Sequence, residues 1–291
     1  MESGFKRMNP REVGILEKYR GNSIICFLDL LGFSDSIRER WNDEKNSPLD
    51  AIMYLEKALS HIVGNGYCEC LSIPKLNKLT STKYSCNLKF ISDSMILAIP
   101  MHDVVSNDDL QDFFAFIQCL IISIGGVWRH CLDQGYTIRG AIEFSDIYWD
   151  DKHILGPALI EAYRLESQEA TTSRIICGRN FIRLCVNKIK EAGNELFKND
   201  GKSDTTIKFH EDFCNDLLAN FHFDNDGFLC VNPNIMYSDD IGKNMILNQI
   251  NRLMTGKKDY IKEKYLPLYK QIKKPEELKI PIFDDMEGMD N

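Results

Sequence analysis

The 291-residue chain lacks an excess of positive charge, a CxxC pair and an apolar run as long as a membrane span. Its 35 Lys and Arg stand against 43 Asp and Glu, a formal net charge of −8. That balance disfavours general binding to nucleic acid or to anionic membranes, because both need a basic face. Ten cysteines are present, but none form CxxC, the spacing of common zinc and redox sites. We therefore expect a reduced, cytoplasmic protein that uses cysteine as a small core residue.

One strongly apolar stretch is too short to cross a membrane. Residues 113–128 read FFAFIQCLIISIGGVW, sixteen residues that include Gln118 and Ser123, whereas a spanning helix needs about 20 apolar residues. The stretch predicts a long helix over about 107–134, buried in the core or in a subunit interface. The N-terminal MESGFKRMNPREVG has no apolar segment, so we expect neither a signal peptide nor a membrane partner.

The alternation of apolar runs and turn residues predicts an α+β fold. The order β-α-α-β-β-α-β-β-α-β-α describes a sandwich with a mainly antiparallel sheet and helices on one side. Two β-type runs, 85–91 and 95–99, are joined by the short polar SDS, which is typical of a hairpin. The segment GPALIEAYRLESQEA predicts an amphipathic helix, whose expected apolar positions are Leu159, Ala162, Tyr163 and Leu165.

Composition divides the chain into three segments. Residues 1–22 are a lead segment, 23–192 hold the alternating elements, and 193–291 form a less regular C-terminal α/β extension. In that extension, NELFKNDGKSDTTIKF predicts a polar loop, FHFDNDGFLCVNP a hairpin, and the Lys-rich stretch 241–274 helix. The acidic tail DDMEGMDN is predicted to be disordered.

Two strands end abruptly on a carboxylate. Asp29 closes an apolar run in FLDLLGF, and Asp93 lies in the hairpin joint of FISDS. A sheet can bring two such residues together at one edge, where a divalent cation removes their mutual repulsion. A few oxygen ligands, with room for water and phosphate, suit Mg²⁺ or Mn²⁺. The turn Gly32-Phe33-Ser34 adds backbone N–H groups at a helix start, which favours phosphate binding. The alternative is that each aspartate only caps a turn.

Four segments resemble, in order, the motifs of class III nucleotide cyclases. FLDLLGFSDS is similar to F-x-D-[IL]-x-G-F-[ST], KFISDS to K-x-I-G-D-[GS], IRGAIEF to R-[IV]-G-I-H-x-G, and GPALIEAYRLESQEA to G-x-x-[VL]-N-x-A-x-R-L-E. The set covers about 23–181. Within that superfamily, RGAI followed by GPALIEAYRLES and then A…SRII looks most like the pyrimidine cyclases of bacterial Pycsar antiphage defence.

The resemblance implies a ferredoxin-like cyclase domain over 23–192 that binds two Mn²⁺ or Mg²⁺ ions per site. Asp29, Asp93 and the backbone carbonyl of Leu30 correspond to the metal ligands of the family. Arg164 matches the arginine that stabilises charge on the α-phosphate, and Arg139 is a second cationic candidate. In the family that arginine acts on the partner's nucleotide, so a homodimer with composite sites is implied.

The resemblance also implies the nucleotide-binding residues and the substrate. These residues are Phe27, Gly32, Phe33, Ser34, Lys89 and His153. Lys89 matches the lysine that reads purine bases, but His153 stands at the position of its Asp or Thr partner. Losing half of a donor–acceptor pair undermines purine readout, since a buried unpaired polar group costs about 1–3 kcal/mol. The implied reaction converts UTP or CTP to a 3′,5′-cyclic mononucleotide and pyrophosphate, as a second messenger for antiphage defence.

Alternatives remain open from the sequence. Ile160 stands where the family has a ribose-positioning Asn, which fits a catalytically inactive nucleotide-binding module, and a purine cyclase is a further reading. A polymerase-like or diguanylate-cyclase-like palm enzyme shares the core, but ISDS lacks the adjacent double acid of that hairpin. For single residues, Arg164 has surface partners available in Glu161 and Gln168, and Arg139 has Glu143 on its own strand face.

Overall fold

A computed structural model of the chain describes residues 18–43, 47–62, 67–69, 83–85, 87–101, 110–198, 214–215, 217–281 and 286. Residues 1–17 of the lead segment, residues 199–209 of the predicted polar loop and, apart from Met286, the acidic tail lie outside the described residues. Residues 18–22 belong to the first strand, and residues 194–198, predicted as loop, are helical instead.

Strands build one large sheet and one small one within this part of the chain. They are β1 (Lys18–Leu31), β2 (Tyr67–Glu69), β3 (Lys83–Ser85), β4 (Asn87–Ile91), β5 (Ser94–Pro100), β6 (Thr137–Asp150), β7 (Ile154–Leu155), β8 (Ile175–Cys177), β9 (Phe221–Phe223) and β10 (Leu229–Val231). The large sheet has the order β4-β5-β1-β6-β8-β10-β9, with β7 also paired to β6, and β2 pairs with β3. Every pairing is antiparallel except that of β6 with β8.

Helices connect these strands. They are α1 (Phe33–Arg40), α2 (Pro48–Ile62), α3 (Leu110–Asp133), α4 (Pro157–Arg164), α5 (Arg179–Lys198), α6 (Asp240–Met254), α7 (Asp259–Lys262) and α8 (Leu266–Lys273). A π-helical turn, Leu165–Glu169, continues α4. The predicted hairpin around SDS is β4–β5, and the predicted Lys-rich helical stretch contains α6, α7 and α8.

The central strand β1 is buried on both faces, which explains its continuous apolar sequence. Ile24, Cys26 and Leu28 alternate onto one face and join the main core with side chains of α2, α3, α5, α6 and α8. Ile25 and Phe27 point to the other face and pack with Ala158 and Ala162 of α4 and with other strand residues. The predicted α+β class with a mainly antiparallel sheet is confirmed. The prediction of helices on one side is wrong, because α4 covers the second face of the sheet.

The long apolar helix is α3, which begins and ends within three residues of the predicted bounds. Its side chains at helical spacing, including Ile117, Leu120, Ile121 and Ile124, are buried in the main core. None of the described helices is long and apolar enough to cross a membrane. The apolar composition of this helix is therefore explained by burial against the sheet and neighbouring helices.

The strands after residue 193 complete the large sheet. β10 pairs with β8 and with β9, so the predicted FHFDNDGFLCVNP hairpin extends the sheet beyond β6. Arg174, which is almost fully buried, holds the hairpin turn through Asp224 at 2.8 Å and Asp226 at 2.6 Å. It also donates to the backbone oxygen of Glu169 at 2.7 Å. One cation thus joins the hairpin to the turn that follows α4.

A buried histidine on β9 makes stability depend on pH. His222 is 1% exposed, its Nε2 lies 3.1 Å from Gln271 Nε2, and its Nδ1 has no hydrogen-bond partner among the described residues. Burial lowers the pKa of His222 from 6.5 to about 4; the charge of Asp224 opposes this shift and that of Arg174 adds to it. Below pH 6.5 the unfolded chain therefore binds a proton at this residue that the folded chain does not bind.

Between pH 7 and pH 5, this difference should lower the free energy of unfolding by about 2 kcal/mol. His222→Gln removes the titrating group, so the variant should lose about 2 kcal/mol less than the natural chain over the same range. Urea unfolding of both proteins at the two pH values measures the difference. Equal pH dependence of the two proteins would contradict the assignment.

Candidate active site

The two aspartates meet where β1 ends beside the β4–β5 hairpin. β1 pairs with β5 so that Asp29 lies opposite Ser94, and with β6 so that Asp29 lies opposite Arg139. The backbone N–H of Leu30 donates to the carbonyl oxygen of Asp93 at 3.1 Å, which ties the hairpin turn to the end of β1. Ser92, the first residue of that turn, has φ 59°, in the left-handed region. Register and turn together make Asp29 and Asp93 neighbours.

The carboxylate of Asp29 is held from two sides. Ser94 Oγ donates to Oδ1 at 3.3 Å, and Arg139 Nε donates to Oδ2 at 3.2 Å. Burial and then the charge of Asp93 raise the pKa of Asp29, while Arg139 and Ser94 act in the opposite direction. Two carboxylates therefore repel each other at this turn, and one guanidinium offsets part of that repulsion.

A third carboxylate, which sequence reasoning missed, contacts the same guanidinium. Glu166 Oε1 lies 2.9 Å from Arg139 Nε, and the Glu166 residue is only 3% exposed. Burial raises the pKa of Glu166 to about 7; the charge of Arg139 lowers it, and those of Asp29 and Asp93 raise it. A signal was present in the sequence, because Glu166 follows Ala158 and Ala162 at the helical spacings of one buried face.

The alternative partner of Arg139, Glu143 on its own strand, is not the one in the structure. Glu143 instead accepts backbone N–H groups of Phe144 at 2.6 Å and Phe181 at 3.1 Å. It thereby caps the start of α5, whereas Arg139 reaches Asp29, Glu166 and the backbone oxygen of Ala170. The cation therefore belongs to the aspartate cluster.

The predicted phosphate-binding turn starts α1 directly after β1. Gly32 has φ 88° and ψ 6°, a left-handed conformation that favours glycine. A Cβ on Gly32 would also lie 2.8 Å from the hydroxyl of Tyr265, so the position has no room for a side chain. Phe33 is buried with its ring centroid 5.5 Å from that of Tyr136, and Ser34 is exposed. Tyr265 and Tyr136 thus pack against the turn on its buried side, and the turn is exposed to solvent at Ser34.

Lys89 and His153 converge on one residue, Asp150, at the far end of β6. Lys89 Nζ donates to the backbone oxygen of Asp150 at 3.1 Å and lies 5.3 Å from the ring centroid of Trp149. His153 Nδ1 lies 3.1 Å from Asp150 Oδ1. A hydrogen bond from Tyr148 is the main cause that lowers the pKa of Asp150. In the sheet, Lys89 lies opposite Ile96, Ile96 opposite Phe27, and Phe27 opposite Ala141 of β6. Asp150 is nine residues farther along β6, where it is still paired with β1, so the paired ends of β1 and β6 must curve back to bring Asp150 within reach of Lys89.

Arg164 lies on the surface of α4 in this single chain. Its Nη2 is 2.7 Å from Glu161 Oε1, and its Nη1 is 3.5 Å from Gln168 Oε1. These are the two surface partners that the sequence offered as alternatives. Ile160 and Tyr163 on the same helix are 69% and 55% exposed. The sequence predicts buried apolar positions that include Ala162, Tyr163 and Leu165. Ala162 and Leu165 are buried, but the prediction for Tyr163 is wrong, and Ala158 is buried on that face instead.

The donor chemistry at the Asp29–Asp93 turn suits a hard divalent cation. Carboxylate oxygens are the ligands that Mg²⁺ prefers, and Mg²⁺ is commonly held by one or two carboxylates together with water and phosphates. No group of three or more His, Cys, Asp or Glu side chains is arranged for a metal ion in the described part of the chain. A cation here would thus depend on two carboxylates, the Leu30 carbonyl, water and a substrate.

Comparisons with known proteins give weak structural similarity and no family. No family model and no curated protein matches the chain. A bacterial light-regulated adenylyl cyclase is 16% identical with a TM-score of 0.36, covering 61% of this chain and 48% of its own. A class III adenylyl cyclase-like ATP-binding protein from Pseudomonas aeruginosa is 10% identical with a TM-score of 0.39, covering 63% of this chain and 39% of its own. The chain therefore spans less than half of either structure, and similarity this low assigns no activity.

Proposed function

We propose that the chain is a nucleotide cyclase that converts UTP or CTP to a 3′,5′-cyclic mononucleotide and pyrophosphate. The observation that carries the proposal is the meeting of Asp29 and Asp93 at one turn, tied by the bond from Leu30 N–H to Asp93. The open Gly32 turn begins two residues beyond Leu30. The resemblance to class III cyclases implies this arrangement, in which the glycine turn follows the first metal-binding aspartate and the second aspartate lies beside it.

In the proposed reaction the ribose 3′-oxygen attacks the α-phosphorus of the same molecule. The bond from that oxygen to phosphorus forms, the bond to the pyrophosphate oxygen breaks, and the proton of the hydroxyl passes to water. Mg²⁺ or Mn²⁺, when bound, would lower the pKa of the hydroxyl and neutralise the leaving pyrophosphate. Asp29 and Asp93 would hold the cations, and the Gly32 turn would hold the triphosphate. Most of the rate enhancement then comes from positioning and charge stabilisation.

The proposal includes a homodimer whose sites are completed by the partner. In one chain Arg164 is held by Glu161 rather than by the aspartates. Ile160 and Tyr163 beside it are large, apolar and exposed, as expected of a helix that packs against a second copy. In such a dimer Arg164 would act on charge at the α-phosphate of the partner's nucleotide.

We expect a pyrimidine preference of at least about tenfold in competition. Lys89 can donate to a carbonyl oxygen present on both uracil and cytosine, whereas His153 supplies the acceptor for a purine pair only when neutral. The measurement incubates the purified chain with equal ATP, GTP, CTP and UTP and Mn²⁺, and identifies products by mass spectrometry. UTP should be used slightly ahead of CTP. Predominant cyclic AMP or cyclic GMP would overturn the pyrimidine assignment.

A catalytically inactive nucleotide-binding module is the second candidate, and one contact favours it. Arg139 already neutralises part of the charge on Asp29, as a cation would. Nucleotide binding without any cyclic product in the same assay would support this candidate.

The antiphage role is inferred from the likeness to Pycsar cyclases. Phage plaque counts on bacteria that carry the natural chain or its Asp93→Ala form test it, and equal counts would contradict it.

A further inference from the structure

Arg139 is shared between two carboxylates at a single nitrogen. Its Nε lies 3.2 Å from Asp29 Oδ2 and 2.9 Å from Glu166 Oε1. The N–H makes its hydrogen bond to Asp29. Asp29 is on β1 and Glu166 is on the π-helical turn after α4, so the guanidinium bridges two separate elements of the fold.

The oxygen of Glu166 that contacts Arg139 has no hydrogen bond. In the described part of the structure, Glu166 Oε1 is buried and lacks a donor, although the guanidinium lies beside it. A buried acceptor without a donor destabilises the folded chain, so the presence of this unpaired oxygen requires an explanation. A small reorientation of Arg139 would direct its N–H to Glu166 instead of Asp29, because both oxygens already lie within 3.2 Å of Nε.

We propose that Glu166 is a positioning residue that receives Arg139 when a divalent cation takes its place on Asp29. The inference deepens the proposed function, on which it rests for the cation at Asp29 and Asp93. With Glu166 present, Arg139 keeps a buried anionic partner after it leaves Asp29. Without that carboxylate, Asp29 is the one anion left to this half-buried guanidinium among the described residues, and its other contact there is the neutral backbone oxygen of Ala170.

In the Glu166→Gln variant, Arg139 should therefore compete more strongly with the cation for the carboxylate of Asp29. We expect Mn²⁺ affinity to fall about tenfold, the low end of the effect seen when a residue that orients a metal ligand is changed. The measurement titrates Mn²⁺ into the purified full chain without nucleotide and follows free Mn²⁺ by electron paramagnetic resonance. It needs no catalytic activity.

Two variants separate positioning from simpler explanations. Glu143→Gln is the matched control, because Glu143 is also a buried carboxylate, but it lies on β6 and accepts the backbone N–H of Phe181 in α5. This variant should keep the natural affinity for Mn²⁺. In an Arg139→Gln background, Glu166→Gln should lose most of its effect, because no competing cation remains. An equal loss in both backgrounds would mean that Glu166 attracts the metal through space, and the positioning role would be wrong.

The outcomes distinguish the inference from the proposed function. Mn²⁺ binding by the natural chain with unchanged affinity in Glu166→Gln would overturn the positioning role and leave the cyclase proposal standing. No Mn²⁺ binding by the natural chain, either alone or with 3′-deoxy-UTP, which lacks the attacking hydroxyl and cannot cyclise, would overturn both. If Glu166→Gln unfolds, the coupling is read instead from Glu166→Asp, whose shorter carboxylate should weaken Mn²⁺ binding in the natural background and have little effect beside Arg139→Gln.

Discussion

Under the proposed function, replacing either Asp29 or Asp93 by alanine should lower cyclic nucleotide formation about a thousandfold or more, which is loss of activity in practice. Each aspartate supplies half of a two-carboxylate site, and no third metal-ligating group of the described residues is arranged to replace it. The measurement is the rate of cyclic product formation with UTP and Mn²⁺. Glu191→Ala, which removes an exposed carboxylate on α5, should keep the natural rate.

The same variants should stay folded. Burial and the charge of Asp93 raise the pKa of Asp29, so the ionised carboxylate is not favoured by its surroundings in the folded chain. After Asp29→Ala, Arg139 keeps Glu166 as a partner. We expect the free energy of unfolding to change by no more than about 1 kcal/mol. A folded variant that retains most of its activity would show that the aspartates do not hold catalytic metal ions.

Mixing inactive Asp93→Ala protein with inactive Arg164→Ala protein should restore activity. In a two-fold dimer with composite sites, each mixed dimer keeps one site built from intact aspartates of one subunit and intact Arg164 of the other. Random exchange makes half of the dimers mixed, so the mixture should reach about a quarter of the natural rate. The experiment measures cyclic product after subunit exchange, with dimer formation confirmed by light scattering.

A matched mixture controls for nonspecific stabilisation. Asp29→Ala with Asp93→Ala places both changes in the same half of the site, so no mixed dimer has an intact site and no activity should return. Activity in the control mixture, or none in a stable mixed dimer of the first pair, would contradict a site shared between subunits.

Local signals in the sequence were enough to predict that Asp29 and Asp93 meet. The apolar run before Asp29 fixes a central strand, and the SDS joint fixes a two-residue hairpin turn, so both carboxylates fall near one edge. The Gly-Phe-Ser sequence predicts a turn after the strand, and the left-handed conformation of Gly32 in the structure is one that glycine adopts readily. These features depend on residues close in the chain or on simple strand pairing.

Contacts that depend on long-range packing were not predictable. Arg139 and Glu143 share a strand face, so only the register of β6 against β1 shows that Arg139 reaches Asp29. The helical spacing from Ala158 and Ala162 indicates that Glu166 is buried, but its contact with Arg139 depends on how the turn after α4 packs beside β6. Lys89 donates to the backbone oxygen of Asp150, which is 61 residues away in the chain, and no local pattern indicates that contact. The burial of α4 on the second face depends likewise on its small Ala158.

The most direct measurement of nucleotide cyclase activity incubates the purified full chain with UTP alone and Mn²⁺, and counts both products. A cyclase gives 3′,5′-cyclic UMP and pyrophosphate in equal amounts, with neither product from the Asp93→Ala variant. The cyclase proposal would be contradicted if the products were UDP and phosphate, or if turnover survived Asp93→Ala. It would also be contradicted if UTP bound but was never converted and CTP, ATP and GTP behaved in the same way.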